Sequence, residues 1–218
     1  NFQKMNFYKI NKSIFPWKKI VNEKNDKHLI YLSGWLEDRK IKELFKLNNV
    51  KQIENWLKKE NSQFSLILIL DTMIFMAVDK VSSFPIFFNT YDKKRVEISN
   101  ASYVWIKKSD KKSIDQINSK IYQMSGYTIG SNTLIKTVKK VLPGELCIIK
   151  KNLKGYTIEK RRYYLFDPKF SKRKIIFKNL YLEFDKILNN VTQKLIYQAN
   201  GRPIILSLSS GLDSRLIL

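Results

Sequence analysis

Two uninterrupted apolar runs, Phe64–Leu70 (FSLILIL) and Met73–Val78 (MIFMAV), flank Asp71-Thr72. A strand with one wet face alternates apolar and polar residues. A run with no polar alternation is buried on both faces, and the two-residue turn between these runs predicts a hairpin. Upstream, residues 28–32 predict a short strand that runs into Ser33-Gly34. Residues 37–45 and 50–59 carry Ile41, Leu44 and Phe45, then Ile53, Trp56 and Leu57, at helical spacing. A second strand pair is expected at 84–88 and 96–99, joined around Tyr91-Asp92-Lys93. Residues 113–135 predict a partly helical stretch broken at Gly126 and Gly130. Pro143-Gly144 then turns the chain into a strand over 145–149, with a partner near 156–158.

The pattern changes at 167–174, a polar segment punctuated by Pro168. It predicts a boundary between a first domain, 1–167, and a second that opens at 175. Residues 175–199 predict a long amphipathic helix, since Ile176, Leu180, Phe184, Ile187, Leu188, Val191, Leu195 and Ile196 recur at three- and four-residue steps. Gly201 stands where a C-terminal cap belongs, and Pro203 blocks continuation. Ile204, Ile205, Leu206 and Leu208 then predict a buried strand running into Ser209-Ser210-Gly211, where a further helix starts. Helix, strand, loop and helix in that order imply the opening of a parallel α/β domain.

Composition narrows the class. With 218 residues, 44% of them hydrophobic, the chain has ample material for a packed core. Its one cysteine, Cys147, excludes an internal disulfide framework and fits a reducing, cytoplasmic compartment. The first twenty residues lack the apolar core of a signal peptide, and the longest apolar stretch is too short to span a bilayer. The formal charge of +22 comes mostly from lysines set in pairs, such as Lys18-Lys19, Lys58-Lys59 and Lys139-Lys140, amid abundant Asn and Ile. This is the signature of AT-rich coding on solvated faces, so neither nucleic acid nor membrane is an expected partner.

The chemistry lies at the end of the chain. Small side chains after a strand let backbone N–H groups approach anionic oxygens, and the following helix turns its positive end toward them. The lysine-bearing glycine loop of nucleoside triphosphatases is not present. Ser209-Ser210-Gly211-Leu212-Asp213-Ser214 instead resembles the Ser-Gly-Gly-x-Asp-Ser pyrophosphate loop of ATP pyrophosphatases. The resemblance implies that this loop, with Ser209, Gly211 and Ser214, holds the β- and γ-phosphates of ATP, that Asp213 helps place Mg²⁺, and that Arg215 either contacts phosphate or is a surface residue. Ser210 stands where that motif has Gly, which costs about 1 kcal/mol if the position needs positive φ.

The residues before the loop resemble the N-terminal domain of the asparagine synthetase family. The segments that carry this are residues 61–68, residues 77–87 with Asp79 and Pro85, Ile98-Ser99-Asn100, residues 126–134, and Val141-Leu142-Pro143-Gly144-Glu145. The resemblance implies an α+β chain: a four-layer αββα sandwich of the N-terminal-nucleophile amidotransferase type, then the first strand and loop of an adenine nucleotide α-hydrolase-like domain. It also implies what is missing. The family's glutaminase uses an N-terminal cysteine activated by its own amine, where this sequence begins with Asn1. Cys147 sits in an apolar strand and reads as an inert buried thiol. The family's Asn-Gly-Glu glutamine site survives as the remnant Ser33-Gly34, with Trp35 in place of the carboxylate. His28 is alone, and no role is assigned to it. No catalytic residue is therefore expected in this domain.

The expectation is an asparagine synthase-related, ATP-dependent amide-forming ligase using ATP and Mg²⁺. A carboxylate is adenylated with release of pyrophosphate and is then attacked by ammonia or an amine. The glutaminase domain is inactive, and 218 residues are too few for ligase activity alone. A ring-forming ligase of the β-lactam synthetase or lasso cyclase type shares these motifs, and a non-catalytic scaffold or partner-binding domain is the alternative outside enzymology. A homodimer is compatible with any of them.

Overall fold

The double-sided apolar runs form the centre of a six-stranded sheet. Strand β4 (Phe64–Leu70) and strand β5 (Met73–Val78) pair antiparallel with Leu68 opposite Phe75. Strands β3 (Leu29–Gly34) and β2 (Lys18–Val21) extend the sheet on one side, and β9 (Glu145–Asn152) and β10 (Gly155–Arg162) extend it on the other. Every pairing in this sheet is antiparallel. The computed structural model describes residues 7–11, 17–22, 28–70, 72–106, 113–168 and 176–218. The chain divides into two compact units, Asn1–Phe166 and Asp167–Leu218.

Because successive side chains of a strand point to opposite faces, β4 serves two cores at once. Leu66, Leu68 and Leu70 face one, Ile67 and Ile69 the other. The first core is closed by helices α1 (Asp38–Leu44) and α2 (Val50–Lys59), which insert Ile41, Leu44, Ile53, Trp56 and Leu57. Each such burial is worth about 2 kcal/mol. Helix α2 starts where the Asn49 side chain accepts a 3.0 Å hydrogen bond from the Gln52 amide. The second core is closed by a four-stranded sheet of β1 (Tyr8–Ile10), β7 (Val96–Ser99), β6 (Phe87–Asn89) and β8 (Val138–Lys140), in that order. Its Phe88, Val96 and Ile98 pack with Ile67, Ile69, Ile74, Met76, Val78, Cys147 and Ile149 of the larger sheet.

The first unit is thus a mixed α+β structure with a helical layer and two facing sheets. The outward face of the smaller sheet is polar: Glu97 accepts hydrogen bonds from Trp105 Nε1 (2.6 Å) and Asn11 Nδ2 (3.0 Å). Helix α3 (Gln116–Ser125), capped by Asp115 and ended by Gly126 in the left-handed region, buries Asn118 alone and leaves Ile117, Tyr122 and Met124 exposed. An outer helical layer with its own apolar core is therefore not seen among the described residues.

The second unit contains helix α4 (Phe177–Ala199) and helix α5 (Leu212–Ile217). The long helix matches its predicted span, although Ile175 lies outside the described residues. Its end differs in detail: Asn200 adopts the left-handed capping conformation (φ 49°), followed by Gly201 (φ 76°). The strand expected over 204–208 is not formed. Residues 202–209 have no regular structure, and Ile205 is 90% exposed. A parallel strand exists through its neighbours, and the described residues of this unit include none. None of them is buried. Among the described residues, no helix is long and apolar enough to cross a membrane.

Candidate functional site

One cavity of the first unit gathers residues from several separate segments. It has a volume of about 790 Å³ and is lined by Lys18, Leu32, Ser33, Gly34, Trp35, Phe84, Pro85, Asn100, Ala101 and Tyr103. Ser33-Gly34, which the sequence resemblance leads one to expect as a glutamine-site remnant, lies in its wall at the end of β3. Gly34 has φ +105°, and a Cβ there would stand 2.3 Å from the Gln63 carbonyl oxygen and 2.9 Å from the Phe84 ring. Glycine is therefore required by both conformation and space. The next amide, of Trp35, donates to the same Gln63 carbonyl at 2.8 Å, which pins the turn.

Asp79 holds the turn that leads to Phe84 and Pro85. It is 4% exposed, at the end of β5. Its Oδ2 accepts from the amides of Phe64 (3.0 Å) and Ser83 (3.0 Å), and its Oδ1 from the amide of Val81 (2.9 Å). These bonds fold residues 79–83 back on the start of β4 and deliver Phe84 and Pro85 to the cavity. Within that turn Ser82 takes a positive φ of 58°. The buried Tyr163 hydroxyl donates to the Val78 carbonyl at 2.6 Å and steadies the same strand end. Ala101, whose amide donates to Ser99 Oγ at 3.2 Å, and Tyr103, in the 3-10 segment Ser102–Trp105, line the cavity after β7.

The chemistry of this wall is cationic and aromatic. Among its described lining residues Lys18 is the one charged side chain, and none of them carries a carboxylate, an imidazole or a thiol. Cys147 is buried in β9 within the inter-sheet core; burial and then the Glu145 charge push its thiol up to about 12. The sequence assignment of an inert thiol therefore holds. His28 also has a structural contact: its Nδ1 lies 2.8 Å from the Phe45 carbonyl oxygen. Asn1 lies outside the described residues.

The second candidate, residues 209–215, belongs to the second unit. Ser209 and Ser214 come together, with their Oγ atoms 3.2 Å apart and the Ser209 amide donating to Ser214 Oγ at 3.1 Å. The Gly211 amide donates to Ser209 Oγ at 3.1 Å. Ser210 is not in the left-handed region and Gly211 has φ −73°, so the serine in place of glycine costs no backbone strain here. Leu212, Asp213 and Arg215 are exposed on the opening of α5. The residues fit Mg²⁺ and the phosphates of ATP in part. A helix start leaves amides without intrahelical partners, and Mg²⁺ is ordinarily held by one or two carboxylates plus substrate phosphates, for which Asp213 supplies one ligand. Among the described residues no cluster of three or more metal-ligating side chains occurs.

Ser33 and Gly34 were visible in sequence as a remnant, and Phe84, Pro85 and Asn100 as parts of family-like segments. Lys18, Ala101 and Tyr103 carried no signal: Lys18 is one of 41 basic residues, and only strand pairing places it beside β3.

No protein-family model matches the sequence, and no curated protein matches it. Part of the chain is similar in shape to solved structures. One, described as the allosteric regulatory enzyme of purine biosynthesis, aligns with 68% of this chain and 31% of its own, at 13% identity and a TM-score of 0.36. Another, glutamine phosphoribosylpyrophosphate amidotransferase from B. subtilis complexed with ADP and GMP, aligns with 68% of this chain and 32% of its own, at 14% identity and a TM-score of 0.35. The match spans about a third of the length of those proteins. Likeness at this level assigns neither a family nor an activity.

Proposed function

We propose that this chain is part of an asparagine synthase-related, ATP-dependent amide-forming ligase. The first unit is then an amidotransferase-type αββα sandwich without glutaminase activity, and loop 209–215 is the pyrophosphate site. The observation that carries the reading is the convergence of Ser209, Gly211 and Ser214 at the start of α5. The two hydroxyls and the helix-opening amides are held together by hydrogen bonds within the loop, and they would have to exchange these for phosphate oxygens on binding. Asp213 would supply one Mg²⁺ ligand, and Arg215, two residues on and exposed, would either contact phosphate or remain a surface residue. The reaction joins a carboxylate to ammonia or an amine, with ATP supplying the activation and pyrophosphate leaving. The chain's own part in it is to position phosphate and stabilise its charge.

The test is calorimetric titration of the 218-residue chain with Mg·ATP. Binding is expected, and Asp213→Asn or the double change Ser209→Ala with Ser214→Ala is expected to weaken it at least tenfold. No binding, or equal binding by the variants, overturns the reading.

A second reading, a non-catalytic binding module, is favoured by one observation. The first unit carries a cavity of about 790 Å³ whose described lining, Leu32, Trp35, Phe84 and Pro85 among it, is largely apolar.

A further inference from the structure

We propose that two joined turns of the first unit, residues 90–95 and 151–155, form a docking surface for a bilayer with anionic headgroups. Leu153 and Tyr91 enter the interface of that bilayer, and the lysines around them meet the headgroups. In sequence these lysines read as dispersed pairs, and the fold gathers them. One turn joins β6 to β7 in the smaller sheet, the other β9 to β10 in the larger one. The Tyr156 hydroxyl ties them by donating to the Asp92 carbonyl at 3.1 Å. A Cβ on Gly155 would strike the Lys93 carbonyl oxygen, so the two backbones are in contact. Lys151 is the cross-strand partner of Tyr156. A cross-strand pair shares one face of its sheet, so Lys151 stands on the side that meets turn 90–95. Each turn is braced from within: Asn89 Oδ1 accepts from the Tyr91 amide (3.0 Å), Asp92 Oδ1 from the Lys94 amide (2.8 Å) and Asn152 Oδ1 from the Lys154 amide (3.0 Å).

The charge of this surface selects an anionic partner. Lys93, Lys94, Arg95, Lys151 and Lys154 are all exposed. Thr72, whose carbonyl accepts from the Lys151 amide at 3.1 Å, brings the β4–β5 turn alongside. The acids of these turns are Asp92 and, outside the described residues, Asp71. Even with both counted, cations prevail. Charge alone fits any polyanion, and the apolar residues choose among them. Leu153 is 107% exposed and Tyr91 81%, each within two residues of the contact between the turns. An aliphatic side chain at the apex of a turn gives a nucleic-acid base no ring to stack on, but it can enter the acyl boundary of a bilayer. Tyr91 has the amphipathic ring that settles at headgroup level. Lysine stems reach past apolar contacts to keep their charge among the headgroups, and each cation near an anionic leaflet adds to the attraction.

The experiment is flotation of the full chain with vesicles of phosphatidylcholine, alone or with about 30% phosphatidylserine. Binding at least tenfold tighter to the anionic vesicles is expected. Lys93→Gln with Lys154→Gln is expected to weaken that binding at least tenfold. Lys42→Gln with Lys51→Gln removes the same charge from exposed positions of α1 and α2 and is expected to change it less than twofold. This control separates a docking surface from the general attraction of a chain of charge +22. Insertion is read from an environment-sensitive dye on Leu153→Cys, which labels selectively because the native thiol, Cys147, is buried. A blue shift on anionic vesicles is expected. No preference for anionic vesicles, equal loss in the two double variants, no blue shift, or displacement from the vesicles by an equal phosphate concentration of poly(U) RNA overturns the proposal. The vesicle comparison uses the unaltered chain, so it does not depend on a variant folding. Mg·ATP binding at residues 209–215 is a separate readout, and either result leaves the other standing.

Discussion

Asp79→Asn tests how the cavity wall is held. The carboxylate is buried and accepts three amides, two on Oδ2 and one on Oδ1. Asparagine is nearly the same size but keeps one acceptor oxygen. In its better orientation that oxygen stays on the Phe64 and Ser83 amides, and the new NH₂ group is turned toward the Val81 amide, donor against donor. One charge-assisted hydrogen bond is lost outright, and the other two lose their charge. At about 1.5–3 kcal/mol for a hydrogen bond to a charged group, the cost is about 2–3 kcal/mol. Asp79→Ala removes all three bonds and opens a void, at about 4 kcal/mol, a large share of the roughly 5–15 kcal/mol that holds a domain together. Urea unfolding followed by tryptophan fluorescence reads the first unit directly. With a slope of about 2 kcal/mol per molar urea, Asp79→Asn moves the midpoint down by about 1–1.5 M. A midpoint shift under about 0.2 M refutes the assignment of Asp79 as the organiser of this wall.

Three further outcomes follow from single contacts. Gly34→Ala drives a Cβ to 2.3 Å from the Gln63 carbonyl oxygen at φ +105°; a loss of about 3 kcal/mol or more in urea unfolding is expected, with the cavity deformed. Asn49→Ala removes the N-cap of α2 and should cost about 1 kcal/mol by the same assay, with no effect on the cavity. Cys147 has its folded thiol pushed up to about 12 from a reference of 9.0. Because the folded state holds this proton more tightly than the unfolded one, its contribution is complete below pH 9 and is lost as pH rises through 12. Stability measured from pH 9 to 11 should therefore fall less steeply in Cys147→Val than in the unaltered chain, and a thiol reagent at pH 8 should not react before unfolding.

The parts of the fold that were legible in sequence are those in which burial leaves a periodic trace. Strands β4 and β5 read as doubly buried because they serve two cores, and α2 read as a helix because Ile53, Trp56 and Leu57 share one face. Strands β1, β2 and β8 did not read. They are three or four residues long, and β2 opens with Lys18-Lys19, which reads as surface charge. The end of the chain showed the opposite failure: Ile204, Ile205, Leu206 and Leu208 have the composition of a strand, but strand structure is a property of pairing, and no partner is described there. At the cavity, Ser33 and Gly34 were visible through local motif, whereas Lys18 and Tyr103 are 85 positions apart in sequence and meet the same space only through the two sheets. The hydrogen-bonding role of Asp79 was hidden for the same reason, since one of its partners, Phe64, lies fifteen residues upstream.

The central claim, that residues 209–215 receive the phosphates of ATP, is tested most directly by mapping amide chemical shifts while Mg·ATP is added to the isotopically labelled chain. The account predicts saturable perturbations concentrated on the amides of Ser209 to Arg215 and abolished by Asp213→Asn. Perturbations confined to other residues, or none at saturating nucleotide, would contradict it.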